Sequence, residues 1–418
     1  MNILPKRKLR IFSPLIFFSV IVFLISLHDG IISYVTPVIL NNRYSNTLFV
    51  GSILSISSFF GIFFNFFITK FFPNKGYKFF TFWMLVFAIT TALILIFIPK
   101  YLFPLVIAMI TWSTYYEFRN YSKYNFVEKF LPPNKNAHAW STMSIFQSLA
   151  YMIGPAIAVY LFAERINSSL LFALLMTSLA SVLFLFFETK FGKKKDDEKS
   201  DREIRSLFDE VKVTHVLTRK IWPLVTFSFA LTLLDASFWT IGVLFSESLR
   251  SQHPAGGLFL TMYGLPAILT GLAAPRIYSY LGKKRTAFLA GIFAGVLMVC
   301  ISLLKNIYLI LSMVFLIAFV SGIAFILIYA TFEDYITRLD GDGNNMVSIG
   351  QISQNIAYVL GPIFFGMVSK DGNYGHSFIA AGEILIFFSV LALVTVPRKI
   401  KMPHKEIANI IEKVLDEI

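Results

Sequence analysis

The sequence predicts an all-α membrane protein with twelve transmembrane helices in two pseudo-symmetric six-helix bundles. Three observations predict it: twelve apolar stretches of spanning length, basic residues skewed to alternate loops, and local motifs that recur after 206 to 208 residues. Composition agrees. Of 418 residues, 56% are hydrophobic, 17% aromatic and only 15% charged, where a soluble globule carries about 25% charged residues.

The apolar stretches run over 11–40, 47–72, 78–98, 101–130, 138–163, 168–189, 220–246, 257–280, 286–304, 307–338, 346–369 and 376–397. Crossing the hydrocarbon takes about 20 predominantly apolar residues. In lipid the backbone must satisfy its own hydrogen bonds, which makes these segments helices. The longer ones permit tilt and protruding ends.

With the N-terminus inside, 28 of the 37 Lys and Arg fall in cytoplasmic segments and 6 outside, namely Arg43, Lys100, Arg165, Arg250, Lys305 and Lys370. Only Arg119, Lys123 and Arg276 lie within spans. This skew follows the positive-inside rule and places both termini in the cytoplasm. The net charge of +13 is therefore topological and implies no nucleic-acid partner. No cleavable signal peptide is expected, because Lys6, Arg7, Lys8 and Arg10 precede a span too long for an h-region. The single Cys300 excludes an intramolecular disulfide.

The halves repeat. Leu27-His28-Asp29-Gly30 matches Leu233-Leu234-Asp235-Ala236 at an offset of 206, and Tyr121–Leu131 matches Tyr329–Leu339 at 208. Gln147–Pro155 (QSLAYMIGP) matches Gln354–Pro362 (QNIAYVLGP) at 207, and Lys75–Lys78 matches Leu281–Lys284 at 206. The expected organisation is a bundle over 1–189, a charged cytoplasmic linker over 190–219, a second bundle over 220–399 and an amphipathic cytoplasmic tail over 400–418. In the linker, Ser200 is placed to cap a short surface helix with Ile204, Leu207, Phe208 and Val211 on one face, the alternative being a solvated linker. The tail puts Ile407, Ile410, Ile411, Val414 and Ile418 on one stripe.

Two parallel six-helix halves joined by a charged cytoplasmic loop resemble the major facilitator superfamily. The resemblance covers essentially the whole chain. The family's loop between the second and third helices of each half, Gly-x-x-x-Asp-Arg-x-Gly-Arg-Lys, survives here as Gly76 and Lys78, then as Gly282, Lys283 and Lys284. Its acidic position is Pro73 in one copy and Ser279 in the other. Gly154-Pro155 and Gly361-Pro362 stand where the family's fifth and eleventh helices often carry Gly-Pro. Asp29 is followed eight residues later by Pro37, as the first helix of family members often ends. The resemblance implies that the first and seventh helices line a central cavity. An Arg that proton-driven members often carry in the fourth helix would fall at Met109 and is absent.

An Asp near the centre of a spanning helix costs roughly 2.5–3.5 kcal/mol on insertion scales, and such residues mark ion or substrate pathways. Asp29 and Asp235 are therefore the first candidates for proton coupling. A carboxylate in a partly desolvated cavity can alternate between protonated and charged forms; the alternative is a structural acceptor tying helix to helix. His28 adjoins Asp29 and is either packed or a relay. The fourth span adds Glu117 and Arg119, with Lys123 sharing the face of Arg119 at i,i+4. Arg119 pairs with Asp29 or Glu117, or holds an anionic group of the solute; Lys123 faces the cavity or snorkels to the cytoplasm. Glu117 is expected to meet Tyr121 or a neighbouring helix.

Tyr34, Trp112, Tyr115, Trp239, Gln147, Gln354 and Asn355 are candidate cavity residues, with Tyr116, Tyr151 and Tyr358 as further aromatic surfaces. Gly76, Gly282, Glu333, Asp334 and Arg338 are candidates for a cytoplasmic gate, the alternative being an Asp334–Arg338 salt bridge at a helix end. Glu383, mid-span in the twelfth helix, is expected to be a buried tie to a neighbour.

These observations lead to a secondary active transporter of a small organic solute, driven by protons, with no cofactor and no metal. It is expected as a monomer in contact with lipid, in a bacterial inner membrane. The alternative is a transporter-like receptor, facilitator or lipid scramblase without proton coupling. An enzyme is not expected, since the chain holds no zinc motif, nucleophile elbow or phosphate loop.

Overall fold

The computed structural model describes residues 6–72, 75–97, 101–131, 136–164, 166–192, 207–267, 282–336 and 343–397, with isolated positions at 269, 270, 273 and 277. Among the described residues every regular element is helical. α1 (Lys6–Tyr44), α2 (Thr47–Phe71), α3 (Tyr77–Phe97), α4 (Leu102–Phe130), α5 (Asn136–Glu164) and α6 (Ile166–Phe191) come first. α7 (Leu207–Trp239), α8 (Ile241–Gln252), a 3-10 turn (Pro254–Leu258) and α9 (Phe259–Gly264) follow. α10 (Lys283–Ile301), α11 (Ile307–Ile336), α12 (Gly343–Val368) and α13 (Tyr374–Thr395) come last.

Nine stretches among the described residues are long and apolar enough to cross a membrane, which makes this an integral, multi-pass membrane protein. The other three of the twelve expected spans are accounted for by their sequence. α4 carries five charged residues, Glu117, Arg119, Lys123, Glu128 and Lys129, along its 29 positions. α12 opens on the polar run from Asn344 to Asn355. The span expected over 257–280 falls largely outside the described residues.

Two boundaries differ from those read off the sequence. The seventh span, expected as one helix over 220–246, begins at Leu207 and breaks at Thr240 (φ −118°, ψ −80°), with α8 continuing to Gln252. Leu207, Phe208 and Val211 thus belong to a helix that runs on into the membrane, where a separate surface helix was expected. Amphipathic spacing marks a half-buried face and is blind to whether the helix continues past it. Ser200, Ile204 and the whole 400–418 tail lie outside the described residues.

The chain divides into two compact units: Met1–Lys199 with Trp239–Leu265, and Ser200–Phe238 with Pro266–Ile418. In the first, α1 packs on α5, α6 and α8, and α3 packs on α4 and α6. α1 is buried on nearly all sides, with Ile21, Ile31, Ile32, Tyr34 and Val35 fully enclosed, as an all-round apolar helix must be. The unit also holds a cluster of aromatic side chains. Phe18 stacks on Phe126 at 3.9 Å, and Tyr77, Phe130, Phe187 and Phe191 surround the pair. Pairs of this kind contribute roughly 0.5–1.5 kcal/mol beyond the area they bury.

The sequence repeat reappears as matching contacts inside each unit. α3 packs on α4 and α6; α10 packs on α11 and α13. Lys78 Nζ donates to the Gly192 carbonyl just past α6 at 2.9 Å, while Lys284 Nζ donates to the Pro397 carbonyl just past α13 at 2.6 Å. A cation at a helix C-terminus satisfies an orphan carbonyl and opposes the negative end of the helix dipole. This gives the basic loop motif a structural role in both copies.

Close approach also repeats. A Cβ on Gly154 of α5 would lie 3.3 Å from the Gly30 Cα of α1, and one on Gly361 of α12 would lie 3.0 Å from the Ala236 Cβ of α7. A methyl group at either position would require its neighbour to give by a few tenths of an ångström. We expect Gly154→Ala to cost about 1–3 kcal/mol by overpacking, read as a lowered thermal unfolding midpoint in detergent. Gly350→Ala is the control: its Cβ meets nothing within 4 Å, and relief of helical glycine should leave it neutral or stabilised. Equal midpoints for the two variants would contradict the contact.

Candidate functional site

α1 brings His28 and Asp29 into the interior of the first unit, and both side chains are fully buried. α4 presents Trp112, Tyr116, Arg119 and Lys123 at i, i+4, i+7 and i+11, a spacing that lines one helical face. α5 contributes Tyr151, whose ring sits 3.4 Å from where a Gly30 Cβ would be. Glycine at position 30 therefore makes room for the tyrosine beside Asp29.

These residues close on one carboxylate. Arg119 Nη1 donates to Asp29 Oδ2 at 3.0 Å and Trp112 Nε1 donates to Oδ1 at 2.9 Å. The Tyr151 hydroxyl also donates to Oδ2. Arg119 Nη1 further reaches the Tyr151 and Tyr115 hydroxyl oxygens at 2.9 and 3.3 Å. The guanidinium lies over the rings of Tyr116 and Tyr115, 4.6 and 5.4 Å from their centroids. Nη1 carries every hydrogen bond of this guanidinium among the described residues, and Nε is buried without a partner. The pair is desolvated, charge-balanced and cross-linked by three helices.

The other expected residues take separate places. His28 Nδ1 lies 3.2 Å from the Ala173 carbonyl of α6; since a carbonyl only accepts, Nδ1 bears the proton and the ring ties α1 to α6. Glu117, two residues from Arg119, faces α2: a Cβ on Gly61 would sit 3.3 Å from its Oε1. Its carboxylate is buried and makes no hydrogen bond or ion pair among the described residues. Lys123 Nζ reaches Gln147 Oε1 of α5 at 3.4 Å and lies 5.9 Å from the Trp140 ring centroid. Tyr34 is fully buried and donates to Glu247 of α8, which Arg250 grips at 2.6 and 3.0 Å. The Trp239 ring lies 5.7 Å from Tyr151 and 6.5 Å from Tyr263.

In the second unit Asp235 of α7 accepts from the Tyr358 hydroxyl of α12, repeating the Asp29–Tyr151 contact. The α4 cations do not repeat. At the offset of 208 that aligns Tyr121 with Tyr329, Leu327 stands for Arg119 and Thr331 for Lys123. Gln354 Nε2 donates to the Tyr329 hydroxyl at 3.0 Å, and Asn355 makes no hydrogen bond among the described residues. Asp334 is bridged by Lys283 of α10 at 2.8 and 2.9 Å. The Glu333 side chain and Arg338 lie outside the described residues, as does Arg276. Gly76 accepts from Phe79 N at 3.1 Å to open α3, and Gly282 precedes α10 with φ +81°, a conformation that favours glycine.

One expectation is corrected outright. Glu383 is exposed on the outer face of α13, lining a shallow groove with Ile386, Phe387 and Val390. Hydropathy locates depth in a span but says nothing about which way a residue faces. Tyr151 is the residue to which sequence reading gave too little weight. Its signal was present: Asp29/Asp235 and Tyr151/Tyr358 recur at nearly the same offset, so a contact made in one half is available in the other.

The Major Facilitator Superfamily profile matches residues 122–344 and 227–412. The chain belongs to this family. No curated protein sequence matches it. Among solved structures it is similar in fold to the peptide transporter POT in complex with sulfate, with a TM-score of 0.74, 12% identity and coverage of 92% of this chain and 94% of that one. It is similar also to the nucleoside transporter NupG, at TM-score 0.69 and 11% identity, covering 92% and 100%. A POT family transporter in complex with 5-aminolevulinic acid aligns at TM-score 0.70 and 14% identity, covering 91% and 95%. At these identities the likeness speaks for the fold.

Removing one partner of a buried ion pair typically costs about 3–5 kcal/mol, because it strands the other charge. We therefore expect Arg119→Met to destabilise the protein by that amount and Asp29→Asn with Arg119→Met to recover most of it. Thermal unfolding of the purified variants measures this. A double variant no more stable than Arg119→Met would show that the two charges do not compensate each other.

Proposed function

We propose that this chain is a secondary active transporter that moves a small organic solute by alternating access and couples the movement to protons through Asp29. The observation that carries the reading is the carboxylate–guanidinium pair at the meeting point of α1, α4 and α5. Family membership and transporters of the same fold support the class.

The chemistry follows from charge balance. While Asp29 is ionised, its oxygens hold Arg119, Trp112 and Tyr151 in one buried cluster. Protonation removes the negative charge, and Arg119 is left without its counter-ion. An uncompensated guanidinium in a low-dielectric site is strongly unfavourable, so the protonated state gains by taking up another acceptor from the solute. Loss of the proton restores the internal pair and releases that acceptor. Asp235 with Tyr358 is the corresponding acid of the second unit, and we assign it a supporting role in the same cycle. At the cytoplasmic side the Lys283–Asp334 bridge, with the loop glycines Gly76 and Gly282, is our candidate for gating.

The test is uptake into vesicles reconstituted with the purified chain, using a solute found by thermal-shift screening of metabolites and drugs at two pH values. Asp29→Asn should lower pH-gradient-driven accumulation to the level of empty vesicles while leaving solute exchange measurable. Undiminished gradient-driven accumulation in Asp29→Asn, Asp235→Asn and the double variant would reject proton coupling. Saturable uptake indifferent to the gradient in the unmodified chain would mark a facilitator.

A further inference from the structure

Resting on the transporter reading, we infer that the solute is an organic carboxylate and that Lys123, with Gln147 and Trp140, binds its anionic group beside Arg119. The inference starts from unequal charges on one face of α4. Asp29 and Arg119 cancel within their own pair. Lys123, one turn further along the same face, has no such partner among the described residues: its contacts there are a neutral amide oxygen at 3.4 Å and an aromatic ring at 5.9 Å. Neither cancels a charge. With Lys123 protonated, the Asp29–Arg119–Lys123 face carries one net positive charge inside a membrane-spanning helix.

Such an arrangement is unfavourable on two counts. A lysine within a span costs roughly 2.5–3.5 kcal/mol on insertion scales. Like charges at i,i+4 oppose each other by a few tenths of a kcal/mol in exposed helices, and by more where the dielectric is low. Lys123 also stands seven residues before the end of α4 at Phe130, about 10 Å of helix at 1.5 Å per residue.

The fold itself does not ask for these cations. The second half of the repeat builds the equivalent helix with Leu327 and Thr331, and both are accommodated there as a buried apolar residue and a hydroxyl bonded to the Leu327 carbonyl at 2.8 Å. A pair of cations found in one copy only, beside half-buried aromatic rings, fits an anion that arrives from outside the protein. Tyr116, Tyr151 and Trp239, all partly accessible near Arg119, offer the apolar body of that solute a flat surface. Proton uptake at Asp29 then frees a second cation for the same carboxylate. One proton and one monocarboxylate would enter together, without net charge.

The experiment uses the purified 418-residue chain in detergent and a thermal-shift panel of matched solutes: benzoate, phenylacetate, indole-3-acetate, lactate and succinate, with the corresponding amines and alcohols. At least one carboxylate should raise the unfolding midpoint saturably while its amine and alcohol counterparts do not. Lys123→Gln should abolish that shift, Lys123→Arg should retain it, and ligand-free Lys123→Gln should unfold no earlier than the unmodified chain. The inference is overturned if no carboxylate stabilises, if only amines or alcohols do, if the shift survives Lys123→Gln, or if that variant is less stable without ligand. Vesicle uptake separates the two readings. Lys123-dependent carboxylate binding without any uptake keeps the anion site and rejects the transporter; gradient-driven uptake of an amine or neutral solute does the reverse.

Discussion

The interaction on which this protein is organised is the buried contact between Asp29 and Arg119. A carboxylate and a guanidinium removed from water each carry a large desolvation penalty, and together they are tolerable only if geometry and further hydrogen bonds compensate. Here Trp112 and Tyr151 supply those bonds, and the rings of Tyr115 and Tyr116 cover the cation. The cluster joins α1, α4 and α5, so none of the three helices can shift without disturbing it. In the proposed cycle the same feature is the switch: one proton on Asp29 would dissolve the balance that holds the cluster together, as a coupled carrier requires.

Duplication explains why the site is built as it is. Each half places an aspartate on its first helix, a tyrosine on its fifth and a close small-residue contact beside them: Gly30 against Gly154, and Ala236 against Gly361. Each half also ends its last helix on a lysine from the basic loop. These shared contacts are scaffold. What differs between the copies is the fourth helix of each, where Arg119 and Lys123 are matched by Leu327 and Thr331. The two copies thus share the contacts that hold the fold and diverge at the two positions to which we assign solute binding.

Much of this was readable in the chain. Spans, repeat and family pattern were visible because bilayer thickness imposes length and apolarity on every crossing segment. Asp29, Arg119, Trp112 and Lys123 stood out because polar atoms at depth are rare. Their pairing was not visible: Arg119 had Asp29, Glu117 and a solute as possible partners, and the choice depends on how α1, α4 and α5 are rotated. Glu383 shows the same limit: it was expected to be buried and is exposed.

The sequence by itself determined the class of protein, the order of its helices and the identity of its intramembrane charges, since these follow from composition, hydropathy and spacing along one dimension. Only the tertiary structure decided which charges meet, and that the helix of the seventh span, described from Leu207, breaks at Thr240. Those outcomes depend on helix rotation and on approach distances near 3 Å, quantities set by the packing of residues far apart in the chain.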